Sequence, residues 1–162
     1  MDIIDDFLEK HEEIRRLMDA VAGCFPHEPA SLDEFRPEML KRLKETADSL
    51  IAKLEEHEAL EQRFLSEIAR DVGPEGADCI AAVSADHEAI NDISNIFESI
   101  SRLTEEKNSY SFRFAVSSLA YRLNRHLSYE ENKVFPCLRR TVSPARLAAV
   151  TARLSCPRAA TP

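Results

Sequence analysis

Apolar side chains recur every three or four positions along most of this chain, the rhythm of helices that bury one face. Ile4, Phe7, Leu8, Ile14, Leu17, Met18 and Val21 carry it through residues 2 to 22, and the Gly23 to Pro26 segment ends it. A connection through His27, Pro29 and Ala30 follows. Ser31 and Glu34 then have the spacing of a capping box, and Pro37 suits a first helical turn or a kink. Leu43, Ala47, Leu50, Leu54, Phe64 and Ile68 predict a long second helix that Gly73 and Pro74 stop. Ile80, Val83, Ile90, Phe97 and Ile100 place a third helix from about Glu75 to about Glu106. A fourth, from about Ser109 to Arg139, follows from Phe112, Val116, Leu119, Leu123, Leu127, Val134 and Leu138. Ser143 before Pro144 reads as an N-cap and a first-turn proline, so a short last helix is expected. Four long helices with short connections predict an all-α, antiparallel up-down-up-down four-helix bundle with a short C-terminal helix.

Composition narrows the picture. The 162 residues, 44% of them hydrophobic, suit one domain spanning 1 to 162 around a single core. Three glycines and no tryptophan, with long stretches rich in Leu, Glu, Lys, Arg and Ala, favour helix over strand. A formal net charge of -8 without a dense basic block argues against nucleic acid or an anionic membrane surface as partners. The sequence has no apolar run long enough to cross a bilayer, and its opening MDIIDDFLEK is acidic, so a cytoplasmic protein is expected. Cys24, Cys79, Cys137 and Cys156 lack C-x-x-C spacing, which argues against a zinc ribbon or a dithiol redox motif and for reduced thiols.

The informative residues are polar ones on the apolar stripes. His11 is in register with Phe7, Ile14 and Met18; His57 and Glu61 fall between Leu54 and Phe64; His87 falls between Val83 and Ile90; His126 and Glu130 fall between Leu123 and Val134. A single inward histidine is usually a hydrogen-bonded core residue. Four of them, one per long helix, are harder to explain that way. An ionised carboxylate is almost never fully buried without a charged partner or a metal, and the stripes carry no Lys or Arg near Glu61 or Glu130. A cation is the missing partner. Counted from the bundle end where helix one starts, all six residues fall in one layer roughly 13 to 21 Å deep, at about 1.5 Å of rise per residue. The i, i+4 spacing of His57 with Glu61 and of His126 with Glu130 lets an imidazole and a carboxylate reach one ion. A donor set of imidazole and carboxylate without thiolate suits iron, manganese or zinc. Six ligating side chains exceed what one tetrahedral ion needs, and bridging carboxylates would serve two.

These residues resemble the hemerythrin-like family, the HHE cation-binding domain, over nearly the whole chain. HLSYEENKVFPCL, from His126 to Leu138, is similar to the family's fourth-helix pattern, and KHEEI, HEALEQRFL and DHEAI match the other three helices in order. The resemblance implies a non-haem centre of two iron ions, with the histidines as terminal ligands and Glu61 and Glu130 as bridges. This chain departs from the oxygen-carrying members in two places. Asn91 stands where they carry a second third-helix histidine, and Glu131 stands where they carry an aspartate, beside the better-placed Glu130. Fewer imidazoles suit reaction or sensing at least as well as oxygen carriage. Glu58 is one residue off the stripe and is expected on a solvated face, with a bend towards the metals as the alternative. His27 is expected in a surface loop, and Tyr121 and Tyr129 are expected to pack ordinarily, with a supporting hydrogen bond as the alternative.

Three functions follow as expectations. The first is a di-iron module that binds or senses iron, dioxygen or nitric oxide. The second is a di-iron enzyme acting on peroxide or supplying iron for iron-sulfur cluster repair. The third is a metal-free helical interaction module, which would leave two buried carboxylates uncompensated.

Overall fold

A computed structural model describes residues 2–24, 37–103 and 109–155. The connection through His27, the Ser31 and Glu34 pair, Glu106 and Cys156 lie outside the described residues, as do the side chains of Phe97, Ile100 and Phe112. The described residues are helical, with no strand among them. The elements are α1 (Ile3–Ala22), α2 (Pro37–Ile68), α3 (Pro74–Leu103), α4 (Ser109–Tyr129), a π-helical turn (Glu130–Val134), α5 (Phe135–Thr141) and α6 (Pro144–Ser155). Among them, no helix is long and apolar enough to cross a membrane.

Local chemistry explains the boundaries. Asp2 caps α1: its carboxylate accepts the Asp5 amide at 3.0 Å while the Asp5 side chain accepts the Asp2 amide at 2.8 Å. Ser143 accepts the Arg146 amide at 3.3 Å with Pro144 opening α6, the start expected from the Ser-Pro pair. Helix four departs from expectation. It is not one regular α-helix to Arg139, because at Glu130 the ladder skips a residue and the Phe135 amide donates to the Glu130 carbonyl five positions back. No glycine, proline or gap in the apolar rhythm precedes that turn.

The long helices pack as a ring, α1 against α2 and α4, and α3 against α2 and α4, which is the up-down-up-down arrangement. Their inward faces form two apolar clusters. One gathers Ile14, Met18, Leu43, Leu50, Leu54, Ile90, Leu119 and Leu123. The other gathers Ile3, Phe7, Phe64, Ile68, Val83, Val134, Phe135 and Leu138 and includes Leu147 and Val150 of α6. Helix α6 closes that end: the Ile3 amide donates to Thr151 Oγ1 at 3.1 Å, Arg146 reaches the Glu67 carbonyl and Asp71 at 2.7 Å each, and Arg153 reaches Glu67 at 2.7 Å. His11, His57, Glu61, His87, His126 and Glu130 belong to neither cluster and are buried at the level between them.

Candidate metal centre

Each helix delivers its polar residue by spacing alone. His11 lies one turn from Phe7 and one from Ile14 on α1, His57 and Glu61 succeed Leu54 on α2, His87 lies between Val83 and Ile90 on α3, His126 lies in the last turn of α4, and Glu130 opens the π-helical turn that follows. His87 keeps 7% of its surface exposed and the other five none. Two carboxylates with no contact to water need partners from within the bundle.

The partners are imidazoles, placed in two pairs. Glu130 Oε2 lies 3.0 Å from His11 Nε2 and 3.9 Å from His57 Nε2, while its Oε1 lies 2.7 Å from His126 Nε2. Glu61 Oε2 lies 3.1 Å from His87 Nε2 and 4.0 Å from His57 Nε2, and the Nε2 atoms of His87 and His126 are 3.1 Å apart. Both carboxylates thus stand between a His11 and His57 side and a His87 and His126 side. Ligand atoms from His57, Glu61, His126 and Glu130 all fall within 4.8 Å of one another. The approaches are short yet badly directed for hydrogen bonds: among the described residues, all four oxygens of Glu61 and Glu130, His11 Nε2 and both His57 nitrogens are buried without a well-directed one. Atoms aimed at a common centre, and not at each other, have this geometry, and a cation at that centre would satisfy them together.

The electrostatics agree. Burial drives the His57 imidazole from 6.5 down to about 3 and also lowers His126. Burial, joined by repulsion from Glu61, pushes the Glu130 carboxyl up to about 8. Burial works to raise Glu61 as well, but the nearness of His87, His57 and His126 outweighs it and holds Glu61 below the usual carboxylate range. Without a cation, the carboxylate pair can ionise only one member at neutral pH.

Around this layer are supports that periodicity did not reveal. Glu131 Oε1 takes the outer nitrogen of His11, Nδ1, at 2.9 Å, and Arg15 grips the same carboxylate with two hydrogen bonds of 2.7 and 3.0 Å. With Nδ1 donating to Glu131, the Nε2 lone pair of His11 faces inward. Arg15 follows His11 by four positions on α1, the one sequence signal for the clamp. Across the layer, Asp86 lies 3.7 Å from His126 Nδ1 and 3.9 Å from Arg122. Phe135 stacks on His11 at 5.6 Å, and Phe7 sets its face 5.6 Å from His57 in an edge arrangement.

Glu58 is not on a solvated face. It is half-buried, its Oε1 is enclosed without a hydrogen-bond partner, and burial raises its pKa against the pull of His87, His126 and a hydrogen bond from Asn91. Tyr121 is 65% exposed and carries Arg125 over its ring at 5.9 Å, away from the layer. Tyr129 is partly buried against the lower apolar cluster, the ordinary packing expected of it.

The family model for the hemerythrin HHE cation binding domain matches residues 2–138. No curated protein and no solved structure matches the chain.

Proposed function

Since the chain belongs to the hemerythrin HHE cation-binding domain family, we propose that its buried layer holds two iron ions, with His11 and His57 serving one, His87 and His126 the other, and Glu61 and Glu130 bridging them. The family match and the buried His and Glu cluster support metal binding, and the donor chemistry supports iron, manganese or zinc. The observation that carries the reading is that Glu61 and Glu130 are wholly buried between two imidazole pairs and that, among the described residues, no donor is well directed at their oxygens.

Glu58 supplies a further carboxylate on the His87 and His126 side, where Asn91 offers no imidazole. Iron held there supplies redox chemistry and a coordination position for a diatomic ligand or peroxide. The chain's residues do the rest. His57 and His126 present neutral imidazoles, which burial enforces. Glu131 and Arg15 orient His11, and the apolar clusters on both sides exclude water. We assign the protein to binding or sensing iron, dioxygen or nitric oxide.

The test is iron per chain by elemental analysis, with an absorption spectrum, on the wild-type protein and on a His57→Ala, Glu61→Ala double variant. About two irons per chain, lost in the variant, and a spectrum that responds to nitric oxide or dioxygen are expected. A metal-free protein whose fold the double substitution leaves unchanged would sink the reading.

A further inference from the structure

Helix α3 and the α4 to α5 segment are laced above and below a pair of cysteines. Below, Arg140 of α5 donates to Glu75 of α3 at 3.1 Å. Above, Asp86 of α3 meets Arg122 and His126 of α4. Cys79 follows Glu75 by four positions and Cys137 precedes Arg140 by three, so the lacing sets the two thiols opposite one another. The two side chains are neighbours, and Cys79 neighbours the Tyr129 side chain as well. Their surroundings differ: Cys137 is 1% exposed, while Cys79 is partly open at the edge of the lower apolar cluster.

We propose that Cys79 and Cys137 form an oxidisable dithiol that hydrogen peroxide closes to a disulfide between α3 and α5. The Cys79 sulfur, as thiolate, attacks one peroxide oxygen. The O–O bond breaks, hydroxide leaves and takes up a proton as water, and Cys79 becomes a sulfenic acid. The Cys137 sulfur then attacks the Cys79 sulfur. Hydroxide is displaced and leaves with the Cys137 proton as a second water. Two thiols are oxidised, one peroxide is reduced, and the S–S bond replaces two S–H bonds. The order of attack follows from access, and burial pushes the Cys137 thiol up, which keeps it protonated until the second step. Among the described residues Cys24 has no such partner, and its thiol bonds the Ala20 carbonyl of its own helix at 3.2 Å. The proposal stands on the helix register alone and does not depend on the metal centre.

The wild-type protein as isolated carries the test, so no variant has to fold. After brief treatment with hydrogen peroxide, free thiols are alkylated and the tryptic peptides are mapped without reduction. Peptide 71–102, containing Cys79, joined to peptide 134–139, containing Cys137, is expected. A reductant should separate them, and the bridge should form about tenfold faster than oxidation at Cys24. In Cys137→Ser, dimedone should trap a sulfenic acid at Cys79. Separate alkylation of Cys79 and Cys137 after peroxide overturns the proposal, as do bridges scrambled with Cys24 at equal rates.

Discussion

The Nε2 atoms of His87 and His126 stand 3.1 Å apart, although the two residues come from different helices 39 positions apart in sequence. Two ring nitrogens so placed can share one proton in a hydrogen bond, whereas one ion could take both lone pairs. With the His11 and His57 side left intact, His126→Ala is expected to keep the helical content and lose about half of the iron. Elemental analysis paired with circular dichroism decides it, and unchanged iron would remove His126 from the ligands.

Glu131 is a support for His11. Losing a partner that orients a ligand costs about 10- to 100-fold in metal affinity, so Glu131→Ala should weaken iron retention in that range against a competing chelator. Arg15→Ala should fall part of the way, since Arg15 acts on His11 through Glu131. Affinity equal to wild type in both would reduce the cluster to a surface ion pair.

Buried charges arranged for a cation are a burden when the cation is absent. Replacing Glu61 and Glu130 together by Met should stabilise the metal-free protein by about 1 to 3 kcal/mol while abolishing iron binding. Urea denaturation of the metal-free wild type and variant measures this. A lower midpoint in the variant would show that the carboxylates stabilise the fold by themselves.

The same burial sets a pH dependence. Glu130 is raised from 4.5 to about 8, so the folded metal-free chain keeps a proton that the unfolded chain has released. Its contribution to stability is complete below pH 4.5 and is lost as pH rises through about 8. His57 is lowered from 6.5 to about 3, so its contribution is complete above pH 6.5 and is lost as pH falls through about 3. Metal uptake displaces the Glu130 proton. Apparent affinity should therefore climb with pH and level off above about 8. Calorimetry in two buffers of different ionisation heat should detect the released proton at pH 7; no proton release would contradict the raised Glu130 pKa.

Periodicity carried most of the fold, because a residue on an apolar stripe is buried wherever the stripe packs. The same rhythm places His11, His57, Glu61, His87, His126 and Glu130 in one layer, where all six are buried. It failed where position on a wheel is not enough. Glu58 sits one step off the stripe, yet its side chain is long enough to turn its Oε1 into the interior. The π-helical turn at Glu130–Val134 adds a residue to one turn without disturbing the apolar rhythm, since Val134 and Phe135 are both buried on leaving it. Glu131 lies in that widened turn and reaches His11 on α1, a contact between residues 120 positions apart that local spacing does not encode.

The bond from the Ile3 amide to Thr151 joins residues 148 positions apart. Phe7 is covered by Phe64 and Phe135, but the end of the bundle beyond it is finished only by the last described helix, since Leu147 and Val150 of α6 join Ile3 and Ile4 in one cluster. The apolar wall on that side of the polar layer is therefore built from the two ends of the described sequence, and it is complete only when both are in place.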